Sequence, residues 1–195
     1  MQYELTLDPT KCYSYADYIT WLDDIRREII DGIVSMLSAP NRLHQEISGK
    51  IFVSLFKYIQ KNNCKVYSAP FDVRLPKKGV KDEKKIYNVV QPDIVIICDE
   101  TKLDDKGCIG APDLVVEILS PDTSKKDLKD KFKLYENSGV KEYWVVFPNE
   151  KSVQIFNLNK QNKYILSGIF VEGDKITSNL FPDFSVENDY IFNDR

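Results

Sequence analysis

At 195 residues the chain suits one compact domain, 1–195, long enough to bury about 70% of its unfolded surface without help from a disulfide or a structural metal. Its 43% hydrophobic and 29% charged residues exclude a disordered chain, and 27 Lys+Arg against 30 Asp+Glu, a formal net charge of -3, exclude a histone-like polycation. The single histidine, His44, excludes a zinc centre built on several imidazoles and is the one candidate for a Ser-His-Asp arrangement.

In chain order, Ser14 followed by YADYITWLDDI reads as a capped helix with Tyr18, Trp21 and Leu22 at helical spacing. In REIIDGIVSML the Asp31-Gly32 pair separates two apolar runs, which predicts a hairpin with Ile30 opposite Ile33 and Glu28 opposite Ser35. Pro40 and Asn41 open a long amphipathic helix reaching about Gln60, its stripe marked by Leu43, Ile47, Ile51 and Leu55. KVYSAPFDVRL reads as one strand, and PKKGVKDEKK as a charged loop or exposed hairpin tip. VVQPDIVIIC, APDLVVEIL and YWVVF are short, apolar and rich in Val and Ile, as central strands covered on both faces are. A helix is expected over 124–137, stopped by Gly139, and SVQIFNL, KYILSGIF and a short strand at 175–177 form a closing antiparallel meander. Helices beside a mixed sheet give an α/β or α+β class.

Cys12, Cys64, Cys98 and Cys108 contain no C-x-x-C pair, which points to reduced thiols and away from a zinc ribbon or a thioredoxin-like site. With no signal-peptide pattern at MQYELTLDPTK and no apolar stretch of membrane-spanning length, a cytoplasmic protein without a membrane partner is expected.

The informative anomaly is acid inside central strands. Glu117 lies among Val115, Val116, Ile118 and Leu119, where an uncompensated carboxylate costs several kcal/mol or has to shift its pKa. Asp113, Val115 and Glu117 share one strand face, and Asp93 heads the neighbouring run PDIVII, so Asp93 and Glu117 can converge as a site for a hard divalent cation. The plainer alternatives are turn capping by Asp93 and Asp113, each after a proline, and an internal salt bridge for Glu117. In the helix that follows, Lys131 is the inward lysine, with Asp127, Leu128, Leu134 and Tyr135 as its i±3 and i±4 neighbours. Lys125, Lys126, Lys129 and Lys133 fall on the other, solvated side.

Pro92-Asp93 and the long string APDLVVEILSPDTSKKDLKDKFKLYENSGVKEYWVVFP, together with REIIDG, RLHQEI and APFDVRL, resemble the Uma2 (DUF820) family of restriction-endonuclease-like proteins, within the PD-(D/E)xK nuclease superfamily. The similarity covers roughly 13–180 and implies a restriction-endonuclease-like mixed central sheet flanked by helices. It makes Asp93 the aspartate of the P-D element and Glu117 the second acid. Leu119 stands where the superfamily's usual lysine would be, and the resemblance places that lysine on the following helix, at Lys131. Glu28 matches a hairpin glutamate that adds an acidic group near the metal, and His44 matches the start of a helix lining the site. Ser120, Asp127 and Tyr135 match supporting positions.

The implied activity is Mg²⁺-dependent hydrolysis of phosphodiesters, with Mn²⁺ as a substitute. Asp93, Glu117 and the Ile118 carbonyl hold the metal, and Lys131 positions water or neutralises the transition state. Double-stranded DNA is the implied partner, with a homodimer by analogy to enzymes that cut two strands. Two other readings stand beside it: a catalytically inactive nuclease-fold module that binds nucleic acid or a partner protein, and a purely structural or oligomerisation module. Residues 77–85 and 124–133 each hold five lysines against two acids, a local gathering of basic charge on an acidic body.

Overall fold

The computed structural model describes residues 7–80, 82–120 and 125–193, with side chains from 128 onward in the last stretch. Ser14 and Asp17 form a reciprocal capping box that starts helix α1 (Tyr15–Tyr18). The helix stops well short of the expected end. Thr20 Oγ1 bonds the Asp17 carbonyl at 2.6 Å, a local competitor to the helical ladder, while Trp21 turns back onto the rings of Tyr13 and Tyr18 and Leu22 stays 96% exposed.

Strands β1 (Arg27–Ile30) and β2 (Ile33–Met36) form the expected hairpin, with Ile30 opposite Ile33 and Glu28 opposite Ser35. Asp31 at φ 49° and Gly32 at φ 80° give the two positive values that a type I′ turn needs, and a Cβ on Gly32 would overlap Cys12 Sγ. Asn41 caps α2 (Arg42–Ile59), which buries Ile47, Ile51, Leu55 and Ile59. Leu43, the first member of the expected stripe, is instead 37% exposed in the first turn.

The segment read as one strand over 65–75 divides into β3 (Lys65–Ser68) and β4 (Val73–Arg74), on either side of the cis Ala69–Pro70 bond, and each half joins a different sheet. Next come β5 (Val89–Val90), β6 (Ile94–Ile97), β7 (Leu103–Asp104), β8 (Gly107–Ile109), β9 (Leu114–Ile118), α3 (Lys125–Ser138) and β10 (Glu142–Phe147). They are followed by β11 (Ser152–Leu158), β12 (Tyr164–Phe170), β13 (Lys175–Thr177), β14 (Ser185–Glu187) and α4 (Asn188–Phe192). The basic segment 76–85 connects the antiparallel pair β4 and β5, so it is a hairpin tip.

One sheet runs β2-β1-β5-β4-β8-β7 and the other β12-β11-β10-β9-β6-β3. Within the second, β9 and β10 are parallel and joined by α3, while β6 and β11 run antiparallel to them, so the class is a mixed α+β fold. Of the expected meander, β11 and β12 pair antiparallel, but β13 leaves it to pair with β14 in a small sheet of its own.

Alternation along β9 sets the layers. Leu114, Val116 and Ile118 face α2 with Ile94, Ile96 and Trp144, whereas Val115 faces the other way with Val95, Tyr143, Val145 and the α3 residues Leu134 and Tyr135. Glu117 belongs to this second face. The β3–β6 register, Lys65 opposite Ile97, brings Cys64 and Cys98 together as a disulfide with Cα atoms 3.9 Å apart. That corrects the all-thiol expectation: short-range spacing carries no trace of a pair made by strand register. Cys12 and Cys108 remain thiols.

Candidate active site

The antiparallel register of β6 and β9 sets Ile94 opposite Val116, which brings Asp93 to the level of Glu117. Lys131 and Tyr135 stand one turn apart on α3, and both reach the same oxygen, Glu117 Oε1: the lysine ammonium at 3.0 Å and the tyrosine hydroxyl at 2.6 Å. Lys131 Nζ also lies 2.9 Å from Glu28 Oε1, on β1 of the other sheet, and that oxygen accepts the Gln91 amide at 2.8 Å. Asp93 Oδ2 accepts the Ile118 amide at 2.7 Å and faces His44 Nε2 at 3.2 Å, with His44 held in the first turn of α2. Asp93, Glu117, Lys131, Glu28, His44 and Ile118, each singled out in the sequence, therefore line one cavity of about 490 Å³.

The charges in this cavity are not balanced. Burial pushes the Glu117 carboxyl up; Lys131 opposes this, Asp93 and Glu28 push it further, and the Tyr135 hydroxyl pulls it back, leaving it at about 7. Burial works against the charged form of Lys131, but Glu117 and Glu28 outweigh it and hold the ammonium well above its ordinary range. For His44, burial favours the neutral ring, yet the Asp93 carboxylate, the Ile118 carbonyl and Glu117 together raise its pKa above 6.5. Two buried polar atoms on the cavity wall, His44 Nδ1 and the Tyr143 hydroxyl, have no hydrogen-bond partner among the described residues.

The family model described as "Putative restriction endonuclease", Uma2, matches residues 15–189. The chain belongs to the Uma2 family. An uncharacterized protein of Synechocystis sp. is 22% identical over 156 residues, covering 78% of this chain and 78% of that protein. A crystal structure of "a putative nuclease belonging to DUF820" from Anabaena variabilis ATCC 29413 superposes with a TM-score of 0.72 at 16% identity, covering 92% of this chain and 97% of that one, and so shares the fold.

In this Uma2 chain the supporting positions divide. Tyr135 is fully buried and bonded to Glu117, Ser120 lines the cavity, and the Asp127 side chain lies outside the described residues. Asp113 does not join the site. Its carboxylate accepts the Cys98 amide and the Lys141 ammonium, each at 2.7 Å, because four residues of strand, about 13 Å, separate it from Glu117. Among the described residues no cluster of three or more His, Cys, Asp or Glu is arranged to hold a metal. The oxygen donors present are two carboxylates and a carbonyl, the complement Mg²⁺ accepts when water and phosphate fill its other positions, and the crowding that raises Glu117 is what a divalent cation relieves. Sequence reasoning missed Arg26, Gln91 and Tyr143 on the same wall. Arg26 could have been suspected from its place beside the hairpin glutamate; Gln91 and Tyr143 leave no signal, since a glutamine before Pro-Asp and a tyrosine in an apolar strand are ordinary. Among the described residues no helix is long and apolar enough to cross a membrane.

Proposed function

We propose that this Uma2 protein is an endonuclease that hydrolyses phosphodiester bonds of double-stranded DNA with Mg²⁺, or Mn²⁺ in its place, as cofactor. The observation that carries the reading is the single ammonium of Lys131 bridging Glu28 and Glu117 inside the cavity that also holds Asp93. Asp93, Glu117 and the Ile118 carbonyl are the residues that would hold the ion. Bound there, the ion supplies Lewis-acid polarisation of the scissile phosphate and acidifies a water molecule.

The protein's own groups do the rest. Lys131 keeps its proton and presents a fixed positive charge to the phosphoryl oxygens as negative charge builds on them. Glu28 and the Tyr135 hydroxyl fix where that ammonium and the Glu117 carboxylate point. His44 and the Ile118 amide hold one oxygen of Asp93, leaving the other for a ligand. A groove that shares Ile30 and Ser35 with the cavity places Lys77, Lys78, Lys133 and Lys163 where phosphates beside the cut could meet them, although Asp31, Asp130 and Glu136 line it too and leave it only slightly basic.

The test is nicking of supercoiled plasmid by the purified chain with Mg²⁺, against Glu117→Ala and Lys131→Ala preparations shown by melting curves to be folded. Both variants are expected to lose activity by about 100-fold or more. Equal nicking by wild type and Glu117→Ala would assign the cleavage to a contaminant. A folded wild type that binds duplex but never nicks it would leave a nucleic-acid-binding module.

A further inference from the structure

We propose that Arg26 is the phosphate-gripping residue of this site, its guanidinium holding non-bridging oxygens of the nucleic-acid backbone beside Asp93; the proposal rests on the nuclease reading above. Arg26 immediately precedes β1, is half-buried, and lines both the main cavity and a smaller one of about 180 Å³ that shares His44 and Asp93 with it.

Its orientation is fixed from behind. Arg26 Nε donates to Gln91 Oε1 at 2.9 Å. Gln91 is itself held by three bonds, its amide nitrogen donating to Asp72 Oδ1 at 2.9 Å and to the Tyr18 hydroxyl at 3.2 Å, and its backbone N–H to Glu28 at 2.8 Å. With Nε occupied, the edge carrying the two Nη groups is left over, and among the described residues it meets no carboxylate.

The neighbouring Arg27 shows the contrast. It places both Nη groups on Asp23, at 2.5 and 2.7 Å, and lies over the Trp21 ring at 5.4 Å, so the end of its guanidinium is consumed in the fold, although its buried Nε meets no partner among the described residues. The same cavity contains the unpartnered His44 Nδ1 and Tyr143 hydroxyl, the latter on a fully buried residue. An oxygen-rich anion is the ligand chemistry that answers a free guanidinium edge and an orphaned hydroxyl together. The fork geometry selects phosphate oxygens in pairs, which a lysine in the same place cannot do.

The experiment measures binding of a fluorescently labelled DNA duplex by anisotropy, with Ca²⁺ replacing Mg²⁺, alongside plasmid nicking with Mg²⁺. Wild type, Arg26→Ala, Arg26→Lys and the surface control Arg42→Ala are compared after melting curves. The expected result is a Kd raised about tenfold or more in both Arg26 variants and unchanged in the control. The slope of log K against log salt should become shallower by about 0.9, the loss of one phosphate contact. If wild type binds and nicks and Arg26→Ala matches it in both, the role of Arg26 is overturned while the nuclease reading stands. Full rescue by Arg26→Lys overturns the bidentate grip. A wild type that neither binds nor nicks overturns the nuclease reading and this proposal with it. Should Arg26→Ala fail to fold, Arg26→Gln, which also removes the charge, takes its place with the same expected Kd and slope, and an unchanged Kd in that variant overturns the role of Arg26.

Discussion

Glu142 opens β10 fully buried, and its carboxylate accepts the Trp144 indole and the Ser178 hydroxyl on one oxygen and the Asn157 amide with the backbone N–H groups of Asn179 and Leu180 on the other. Every donor is neutral and every one belongs to the fold, so this acid fastens the turn at 178–181 to the central sheet. Glu117, on the adjacent strand, meets an ammonium, two other carboxylates and a cavity. Replacing Glu142 with Ala is therefore expected to cost about 3 kcal/mol or more in urea unfolding, leaving the turn's donors unanswered, with activity per folded molecule retained. Glu117→Gln is expected to do the reverse, abolishing nicking while costing less stability than Glu142→Ala, since Glu28 still pairs the Lys131 ammonium and the crowding of carboxylates is relieved. An acid within an apolar run was enough to find Glu117, but the same signal occurs at Glu142. What separates them is the identity of the donors around each carboxylate, which is contributed by residues far away in the chain.

At the scale of elements, local chemistry was legible where one segment decides its own conformation. The Asp31-Gly32 turn and the Asn41 cap produce what they predict, as does the four-residue recurrence in α2 from Ile47 onward, Leu43 alone staying exposed. Reading failed where a distant partner decides: the 65–75 segment is claimed by two sheets, and the Cys64–Cys98 bond depends on a register between strands that are remote in sequence. The α1 capping box yields a pH prediction. The Lys11 ammonium, with the Ser14 amide and hydroxyl, holds Asp17 at about 2 instead of 3.8. The ionised form thus stabilises the fold fully above pH 3.8, and the benefit disappears as pH falls from there towards 2. For this partly exposed group, Asp17→Asn should cost about 1 kcal/mol at neutral pH. Melting points of the two proteins should draw together across that window and converge as the pH falls through about 2.

For the whole molecule, the net charge of -3 conceals an arrangement in which Glu28, Asp93 and Glu117 share one cavity, while the groove beside it mixes Lys77, Lys78, Lys133 and Lys163 with Asp31, Asp130 and Glu136. A cation that binds only the folded protein stabilises it by mass action, by about 2.7 kcal/mol at a hundredfold excess over Kd. Mg²⁺ should therefore raise the melting point of wild type in a saturable way and leave that of Glu117→Gln unmoved; equal shifts in both would place the ion elsewhere. The bridge made by Lys131 has a further consequence. Glu28 comes from one six-stranded sheet, Glu117 from the other, and the lysine from the helix between parallel strands. If these three side chains form the proposed active site, no single sheet contains it, and a chain whose two sheets have not docked is expected not to cut nucleic acid. Under the proposed function, hydrolysis would then report completed folding, a dependence set by the placement of three side chains.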